Sequence, residues 1–396
     1  MLSKLKKDNA MIGIHAATRT AIGAFQGQFS SYSATDLGGF ALRAAMKAAG
    51  LPTVDEVFMG CVLQAGLGQA PARQASIKAG INHNVPTTTI NKVCGSGMRA
   101  VMFACDSLRL GNIQTAIAGG MESMTNAPYA LEKARSGYRF GHGALLDLML
   151  NDGLEDAFHK NPQGGRCAMG MFADDTAATY EFSRQAQEDF ARLTYENALA
   201  AQAAGAFQAE ITPVIFADKK GETTFDQDEP ITKVKPDKFG ALRPAFKADG
   251  TVTAATSSSL ADGAAALVLS TNTTGVLAKI VGYTSYAQTP ETFTTAPIGA
   301  IEKLCAALNW SIDSVGAFEI NEAFAVVPMA AMKALNIPRA KVNMFGGACA
   351  LGHPIGASGA RIMVTLINIM RQKNLKRGIA VACIGGGEAT AIALEL

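Results

Sequence analysis

Residues 346 to 361 read Gly-Gly-Ala-Cys-Ala-Leu-Gly-His-Pro-Ile-Gly-Ala-Ser-Gly-Ala-Arg, and the rest of the chain is organised around this stretch. It holds His353, one of five histidines, in a segment that looks too rich in glycine for regular helix or strand. Glycine permits positive φ and close backbone approach, and Pro354 disfavours helix at the residue before it. The stretch therefore predicts a histidine held by its loop, in either a capping or a catalytic role.

Two other stretches, at residues 91–98 and 383–388, are similarly rich in glycine and also hold a candidate reactive side chain. The first reads Asn-Lys-Val-Cys-Gly-Ser-Gly-Met and the second Cys-Ile-Gly-Gly-Gly-Glu. Each places a cysteine, Cys94 or Cys383, at the end of an apolar run and close to glycines. Two cysteines and one histidine at glycine-rich turns form a constellation suited to nucleophilic and proton-transfer chemistry.

Composition narrows the class of protein. The 396 residues are enough for two or three domains, and 48% of them are apolar. A net charge of +2, with no basic run interleaved with aromatic residues, argues against a nucleic-acid partner. The one charge cluster, Lys4, Lys6 and Lys7, is expected to be a solvated tail.

Cysteine usage indicates the compartment. The seven cysteines are odd in number, widely spaced and free of CxxC pairs, which suits reduced thiols better than disulfides or a metal site. The first ten residues lack the apolar core of a secretion signal, the last three are not a peroxisomal address, and no apolar run is long enough to span a bilayer. These features predict a cytoplasmic protein without a membrane partner.

Apolar strand-like runs alternate with helix-like segments towards both ends of the chain. The predicted strands are 11–17, 57–63, 86–93, 115–118, 264–269, 278–283, 317–320 and 379–384. The predicted helices are 36–49, from 71, from 98 to an end at Gly111, 300–308, 327–335 and, after the glycine turn at 356–359, a helix that runs to about 373. Such alternation predicts layered α/β architecture with mostly parallel sheets.

The order of a glycine turn, a helix, a strand and a second glycine turn occurs once after residue 95 and again after residue 356, which predicts two related halves. We predict that residues 1–120 plus 250–272 form the first half and residues 273–396 the second. Residues 121–249 are more polar and too long for a loop, and they are predicted to be an inserted subdomain.

Cys94 is the strongest candidate nucleophile, because it is predicted to lie between a strand end and a helix start. Backbone N–H groups and the helix dipole there are expected to lower the thiol pKa from about 8.5. His353 can accept its proton, and Asn321 could orient a water or hold an oxyanion. The glycines after Cys383 can form an anion-binding nest. Each residue has an alternative interpretation. Cys94 could be a buried structural cysteine, and Asn321 could cap a helix or turn. The glycines after Cys383 could form a dinucleotide-binding turn, although no G-x-G-x-x-G opens a helix after the first strand.

Together the blocks at 91–98, 321–324 (Asn-Glu-Ala-Phe), 346–361 and 383–387 resemble the four signature blocks of the thiolases. Similarity to the family also extends over residues 19–23, 69–74, 242–246 and 262–266. The resemblance implies the duplicated α/β/α/β/α layered fold of that family, with two related halves and an inserted loop subdomain that covers the active site. Within the family, the acetyl-CoA acetyltransferases look most similar. They interconvert two acetyl-CoA with acetoacetyl-CoA and CoA, which implies CoA thioesters as substrates and no cofactor.

The resemblance also implies roles for individual residues. Cys94 would attack the acyl thioester and form an acyl-enzyme, with His353 accepting its proton. Cys383 would remove the α-proton of a second acetyl-CoA or, in thiolysis, activate the thiol of CoA. One oxyanion site would consist of His353 and a water held by Asn321, and the other of the backbone N–H groups of Cys94 and Gly385.

For the substrate, the family pattern points to Ser258 along the pantetheine and to Met169 and Phe324 at the acyl pocket. The chain departs from the pattern at Phe293, where many short-chain members carry methionine. It departs again at Thr232, where many relatives carry an arginine near the CoA nucleotide. Chain-length preference and phosphate contacts are therefore left open by the sequence.

Two alternatives within and beyond this family remain to be weighed. A ketoacyl synthase would carry a second histidine in the block at residues 321–324. A non-catalytic acyl-CoA or lipid-binding relative would be expected to have lost Cys94, His353 or Cys383, and all three are present. Thiolases are dimers or dimers of dimers, so the resemblance predicts a homo-oligomer, and a tetramer in particular.

Overall fold

Strands and helices alternate in the structure, a computed structural model that describes residues 11–218 and 221–396. The lysine cluster at residues 4–7 lies outside the described residues. The strands are β1 (Ile12–Thr20), β2 (Gly23–Ala24), β3 (Glu56–Gly60), β4 (Thr87–Ile90), β5 (Thr115–Ser123), β6 (Tyr129–Ala130), β7 (Leu146–Asp147), β8 (Glu155–Lys160), β9 (Arg166–Ala168), β10 (Ile211–Thr212), β11 (Val214–Asp218), β12 (Gly221–Phe225), β13 (Ala261–Ser270), β14 (Ala278–Ala287), β15 (Ala317–Ile320), β16 (Arg377–Ile384) and β17 (Glu388–Glu395).

The α-helices are α1 (Ala34–Ala49), α2 (Pro71–Ala79), α3 (Ser96–Arg109), α4 (Met169–Thr179), α5 (Arg184–Ala203), α6 (Glu229–Lys233), α7 (Ala296–Leu308), α8 (Val326–Leu335), α9 (Ala348–Leu351) and α10 (Ile355–Gln372). A π-helical turn covers Leu150–Leu154, and a 3-10 helix covers Pro290–Thr295. In the part of the chain that the structure describes, no helix is both long and apolar enough to cross a membrane.

One large mixed sheet runs through the molecule, in the order β15-β16-β17-β14-β1-β13-β5-β3-β4. Three neighbouring pairs on this path are parallel, namely β15/β16, β5/β3 and β3/β4. The five pairs between β16 and β5 are antiparallel. The prediction of mostly parallel sheets is therefore wrong, because a hairpin joins β16 to β17 and β13 returns antiparallel between β1 and β5.

The two ends of this sheet repeat one arrangement. The order β1-β13-β5-β3-β4 on one side of the centre corresponds to β14-β17-β16-β15 on the other. A parallel bridge between Phe318 and Val342 occupies the place that matches β4. The antiparallel contact between β1 and β14 joins the two arrangements, so the glycine turn before α3 and the turn before α10 occupy equivalent positions.

Local sequence explains where the elements begin and end. Helix α1 starts earlier than predicted, because Ser33 caps it and forms a reciprocal capping box with Asp36, and it ends at Gly50 with φ of +64°. Strands β1 and β5 run longer than predicted, to Thr20 and Ser123. The glycine-rich stretch around His353 is also more regular than expected, since α10 already begins at Ile355.

Helices α3 and α10 cross at their first turns, with backbone against backbone. A Cβ atom on Gly97 would lie 2.9 Å from the Ala360 nitrogen, and one on Gly359 would lie 2.6 Å from the Met98 nitrogen. Such distances exclude any side chain larger than hydrogen. The crossing brings the turns that precede the two helices to the same place, and these turns carry Cys94 and His353.

A buried ion network ties the segment between β5 and β13 to the sheet. Arg19 of β1 has no exposed surface, and it donates to Glu210 at 2.6 Å and to Asp228 at 2.7 Å. Removal of one partner would leave an uncompensated buried charge, which costs several kcal/mol. The division of the chain into two halves and an inserted subdomain stays a prediction at its stated boundaries.

Candidate active site

The Cys94 turn joins the end of β4 to the start of α3. Val93 has φ of +46°, an unfavourable conformation for a β-branched residue. The Ser96 hydroxyl holds the turn, since it accepts from the Lys92 N–H at 2.8 Å and donates to the Val93 carbonyl at 2.7 Å. All seven cysteines lie in the described part of the chain, and Cys94 is the one that is not fully buried.

The environment of the Cys94 thiol opposes ionisation. Burial raises the pKa of Cys94 to about 11, against two hydrogen bonds to the sulfur from the backbone N–H groups of Gly385 and of Cys94 itself. The expectation of a lowered pKa is therefore wrong for the free protein. A thiol with this pKa needs a nearby base to attack near neutrality.

The candidate for that base is His353, on the loop between α9 and α10, which lines the same cavity as Cys94. Its Nδ1 lies 2.6 Å from the Ser358 hydroxyl, and this hydroxyl donates to the Pro354 carbonyl at 3.0 Å. Because the serine proton is used in that bond, we assign the imidazole proton to Nδ1, which donates to Ser358. This tautomer leaves Nε2 as a proton acceptor.

The imidazole is held neutral. Burial lowers the pKa of His353 to about 3, and the positive charge of Arg361 lowers it further. The side-chain nitrogen of Asn321 lies 3.5 Å from Nε2. The side-chain oxygen of Asn321 is buried and has no hydrogen-bond partner in the structure as described. An unpaired buried acceptor next to a histidine nitrogen is a suitable place for a bridging water.

Cys383 is the last residue but one of β16 and has no exposed surface. Burial raises its pKa well above the ordinary value, and negative charge on Cys94 raises it further. The two thiols are thus close enough to interact electrostatically. Gly385 begins the turn after β16 and lines the same cavity as Cys94, and its backbone N–H acts to lower the pKa of the Cys94 thiol.

One cavity collects most of the predicted site residues. It has a volume of about 60 Å³ and is lined by Val93, Cys94, Gly153, Leu154, Met169, Ser258, Phe293, Ala323, Phe324, His353, Ile355 and Gly385. A second cavity of about 190 Å³ shares seven of these residues: Leu154, Met169, Ser258, Ala323, Phe324, His353 and Ile355. It extends past Leu150, Ala168, Phe246 and Leu260. Cys383 and Asn321 are buried and line neither of these cavities.

Two departures from the family pattern occupy different places. The Phe293 ring is buried in the cavity wall with its centroid 6.4 Å from that of Phe324. Thr232 is exposed on α6 and donates to the Glu229 carbonyl at 2.8 Å, away from both cavities. Phe293 therefore belongs to the candidate site, and Thr232 is not brought to it.

Sequence reasoning missed two residues that support the site. Ser358, which fixes the tautomer of His353, lies five residues after it, a spacing that could have suggested the contact. Glu122 is buried and accepts from the N–H groups of Val62, Leu63 and Gly356, at 3.0, 3.2 and 2.9 Å. Burial raises the pKa of Glu122 to about 7. No local sequence signal indicates that Glu122 anchors the start of α10.

Comparison with known proteins adds to this geometry. The family "Thiolase, N-terminal domain" matches residues 12–273, and "Thiolase, C-terminal domain" matches residues 274–396. Acetyl-CoA acetyltransferase 2 of Arabidopsis thaliana is 48% identical over 98% of this chain and 97% of that protein. The Acat5 thiolase from Ascaris suum, solved in complex with coenzyme A, has a TM-score of 0.89 and 38% identity, over 97% of this chain and 99% of its own. The Bacillus anthracis acetyl-CoA acetyltransferase has a TM-score of 0.93 and 36% identity, over 98% of this chain and 100% of its own.

Proposed function

Since this chain belongs to the thiolase family, we propose that it is an acetyl-CoA acetyltransferase that interconverts two acetyl-CoA with acetoacetyl-CoA and CoA. The observation that carries the proposal is the small cavity, whose wall holds Cys94, His353 and Gly385 together. Ser258, Met169 and Phe324 complete its lining towards the larger cavity, where the CoA arm would enter. A volume of about 60 Å³ suits a two-carbon acyl group better than a long chain.

In the first half-reaction, the Cys94 sulfur attacks the thioester carbon of acetyl-CoA while Nε2 of His353 accepts the thiol proton. The bond from the acyl carbon to the CoA sulfur breaks, and the departing CoA takes the proton of the Cys383 thiol, which leaves a Cys383 thiolate and a protonated His353. Because His353 is neutral with Nε2 unprotonated, it is ready for this step without prior proton loss.

In the second half-reaction, Cys383 removes an α-proton from a second acetyl-CoA. The carbanion attacks the acyl group on Cys94, a carbon–carbon bond forms, the bond to the Cys94 sulfur breaks, and this sulfur takes back the proton from His353. Negative charge on Cys94 opposes ionisation of Cys383, so acylation of Cys94 removes an obstacle to the base. In thiolysis the steps run backwards, and Cys383 activates the thiol of CoA.

Charge develops on two different oxygens in these steps. We assign the acyl-enzyme oxygen to the N–H groups of Cys94 and Gly385, which already converge on the sulfur. The enolate oxygen would be held by His353 and a water on Asn321, whose side-chain oxygen lacks a partner. Loss of one such donor typically slows a reaction by about a hundredfold or more.

Thiolysis of acetoacetyl-CoA by CoA tests the proposal. Wild type should cleave acetoacetyl-CoA, whereas Cys94→Ala and Cys383→Ala should be nearly inactive. Cys305→Ala removes a buried thiol from α7, outside both cavities, and should retain activity. Mass spectrometry should detect an acetyl group on Cys94 in the Cys383→Ala protein. Wild type without thiolysis, or full activity without Cys94, would contradict the proposed function.

We further propose a homotetramer, built as a dimer of dimers, in the cytoplasm and in fatty acid metabolism. The segment between β5 and β9 supports an assembly role, because it exposes large apolar side chains such as Phe140, Leu145 and Phe158. The same segment contributes Leu154 to the cavity wall, consistent with an inserted subdomain that covers the site. Sedimentation that finds a fully active monomer would contradict the tetramer.

A further inference from the structure

An ion pair joins the two turns that carry the cysteines. Lys92 lies two residues before Cys94, and its ammonium group contacts the carboxylate of Glu388. Glu388 opens β17, three residues after Gly385. The partners are 296 residues apart in the chain, so the contact exists because the two halves of the fold meet here.

Each partner is connected through short backbone links to one hydrogen-bond donor on the Cys94 sulfur. The Gly95 N–H donates to the Lys92 carbonyl at 3.0 Å, and the Lys92 N–H donates to Ser96 at 2.8 Å, so Lys92 is fixed within the turn that contains the Cys94 N–H. Glu388 pairs with Ile384 across the hairpin that contains the Gly385 N–H.

The turn between β16 and β17 packs closely against the backbone at Gln288. Gly387 has φ of +85°, and a Cβ atom there would lie 2.4 Å from the Gln288 carbonyl oxygen. Its own carbonyl accepts from the Gln288 N–H at 2.8 Å. A displacement of Glu388 would therefore be transmitted towards Gly385 rather than absorbed by the turn.

We propose that the Lys92–Glu388 ion pair is a positioning clamp that sets the separation of the Cys94 and Gly385 N–H groups, and so the geometry of the oxyanion site between them. The inference rests on the proposed function. The two side chains touch no substrate cavity, so their effect is exerted through the turns.

The ordinary expectation for a partly exposed ion pair is a contribution of 0–1 kcal/mol to stability and nothing else. The clamp differs because oxyanion donors act only when they are held within about 0.5 Å of the productive position. A direct charge effect on the nucleophile is a separate possibility, but the pKa of Cys94 responds to burial and to backbone N–H groups.

The test uses Lys92→Met, Glu388→Gln, the double variant and the charge-reversed pair Lys92→Glu/Glu388→Lys. Arg377 and Glu395 provide a matched control, because this pair also uses a glutamate of β17, lies at the opposite end of the β16–β17 hairpin, and has a separation of 3.1 Å and similar exposure. For each protein we would measure kcat and KM for thiolysis of acetoacetyl-CoA, the Tm, and the pH profile of Cys94 alkylation by iodoacetamide.

The clamp predicts that each single variant loses about tenfold in kcat, with KM, Tm and the alkylation profile close to wild type. The double variant should be no worse than the singles, since the two residues act as one unit, and the reversed pair should regain most of the activity. The control variants Arg377→Met and Glu395→Gln should keep their kcat.

Three results would overturn the clamp: an unchanged kcat, an equal loss in the control pair, or losses that multiply in the double variant. A shifted alkylation profile would also overturn it, in favour of a charge effect on the thiol. Wild type that fails to cleave acetoacetyl-CoA would instead overturn the proposed function, and the clamp with it.

Discussion

Replacement of Ser358 by alanine removes the group that holds the imidazole proton on the far side of His353. In the structure Nδ1 lies 2.6 Å from the Ser358 hydroxyl. This hydroxyl donates a hydrogen bond to the Pro354 carbonyl at 3.0 Å. In Ser358→Ala the Nδ1–H is left in a buried site without an acceptor. The proton then either stays unpaired or moves to Nε2, the nitrogen that we propose accepts the Cys94 proton.

Both outcomes carry a calculable cost. An unpaired buried N–H costs about 1–3 kcal/mol. If the proton moves to Nε2, the Nε2–H group faces the side-chain nitrogen of Asn321, a hydrogen-bond donor 3.5 Å away. His353 then has no free nitrogen on that side to accept the Cys94 proton. A penalty of about 1.4–2.8 kcal/mol before the chemical step corresponds to a kcat about 10- to 100-fold lower. Ser358 lines neither cavity, so KM should change little.

Rapid-quench measurement of acyl-enzyme formation from acetyl-CoA reports this step directly. Thr365→Val is the matched control: Thr365 lies on the same helix, is buried, and loses a hydrogen bond to Glu210 of 3.0 Å without approaching His353. Both variants should lose similar stability, and only Ser358→Ala should lose acylation rate. An acylation rate within about twofold of wild type would refute the tautomer assignment.

Three further predictions follow from burial and packing. Because burial raises the pKa of Cys94 to about 11, the rate of its alkylation by iodoacetamide should rise about tenfold per pH unit from pH ~9 until it approaches pH ~11. A rate that reaches a plateau near pH ~8.5 would contradict this. Gly120→Ala places a Cβ 2.0 Å from the Gly356 carbonyl oxygen and should lower the free energy of unfolding in urea by about 1–3 kcal/mol. Gly240→Ala, where the Cβ meets open space, should not, and equal stability of the two would count against the packing argument. Phe293→Ala should raise kcat/KM for longer 3-ketoacyl-CoA relative to acetoacetyl-CoA, and an unchanged ratio would exclude Phe293 as a chain-length determinant.

The types of element were predictable from sequence because their signals are local. Apolar periodicity, Gly50 at the end of α1 and Pro71 at the start of α2 each act within a few residues. Strand direction was not predictable in this way. The antiparallel pairing of β13 with β1 and β5 depends on a strand that returns after more than 100 residues, and no local pattern encodes that return.

The candidate catalytic residues were indicated by their glycine-rich surroundings, but their electrostatics were not. Sequence places Cys94 before a helix, which suggests a stabilised anion; only the fold shows the burial that outweighs this effect. Ser358 was within reach of sequence reasoning, because it follows His353 on the same loop and helix. Glu122 and the Lys92–Glu388 pair were not, since their partners come from distant parts of the chain.

The crossing of α3 and α10 has a consequence for how the protein can move. At Gly97 and Gly359 the two backbones are already in contact, so neither helix can slide or tilt without a clash. A hinge between the two halves would in addition pull Cys94 away from His353. Domain closure of the kind used by many two-lobed enzymes would break this crossing, so we do not expect it as a route for substrate entry. The chain from Leu150 to Met169 contributes to the walls of both cavities and takes no part in this crossing, so we expect substrate entry to depend on movement of this segment.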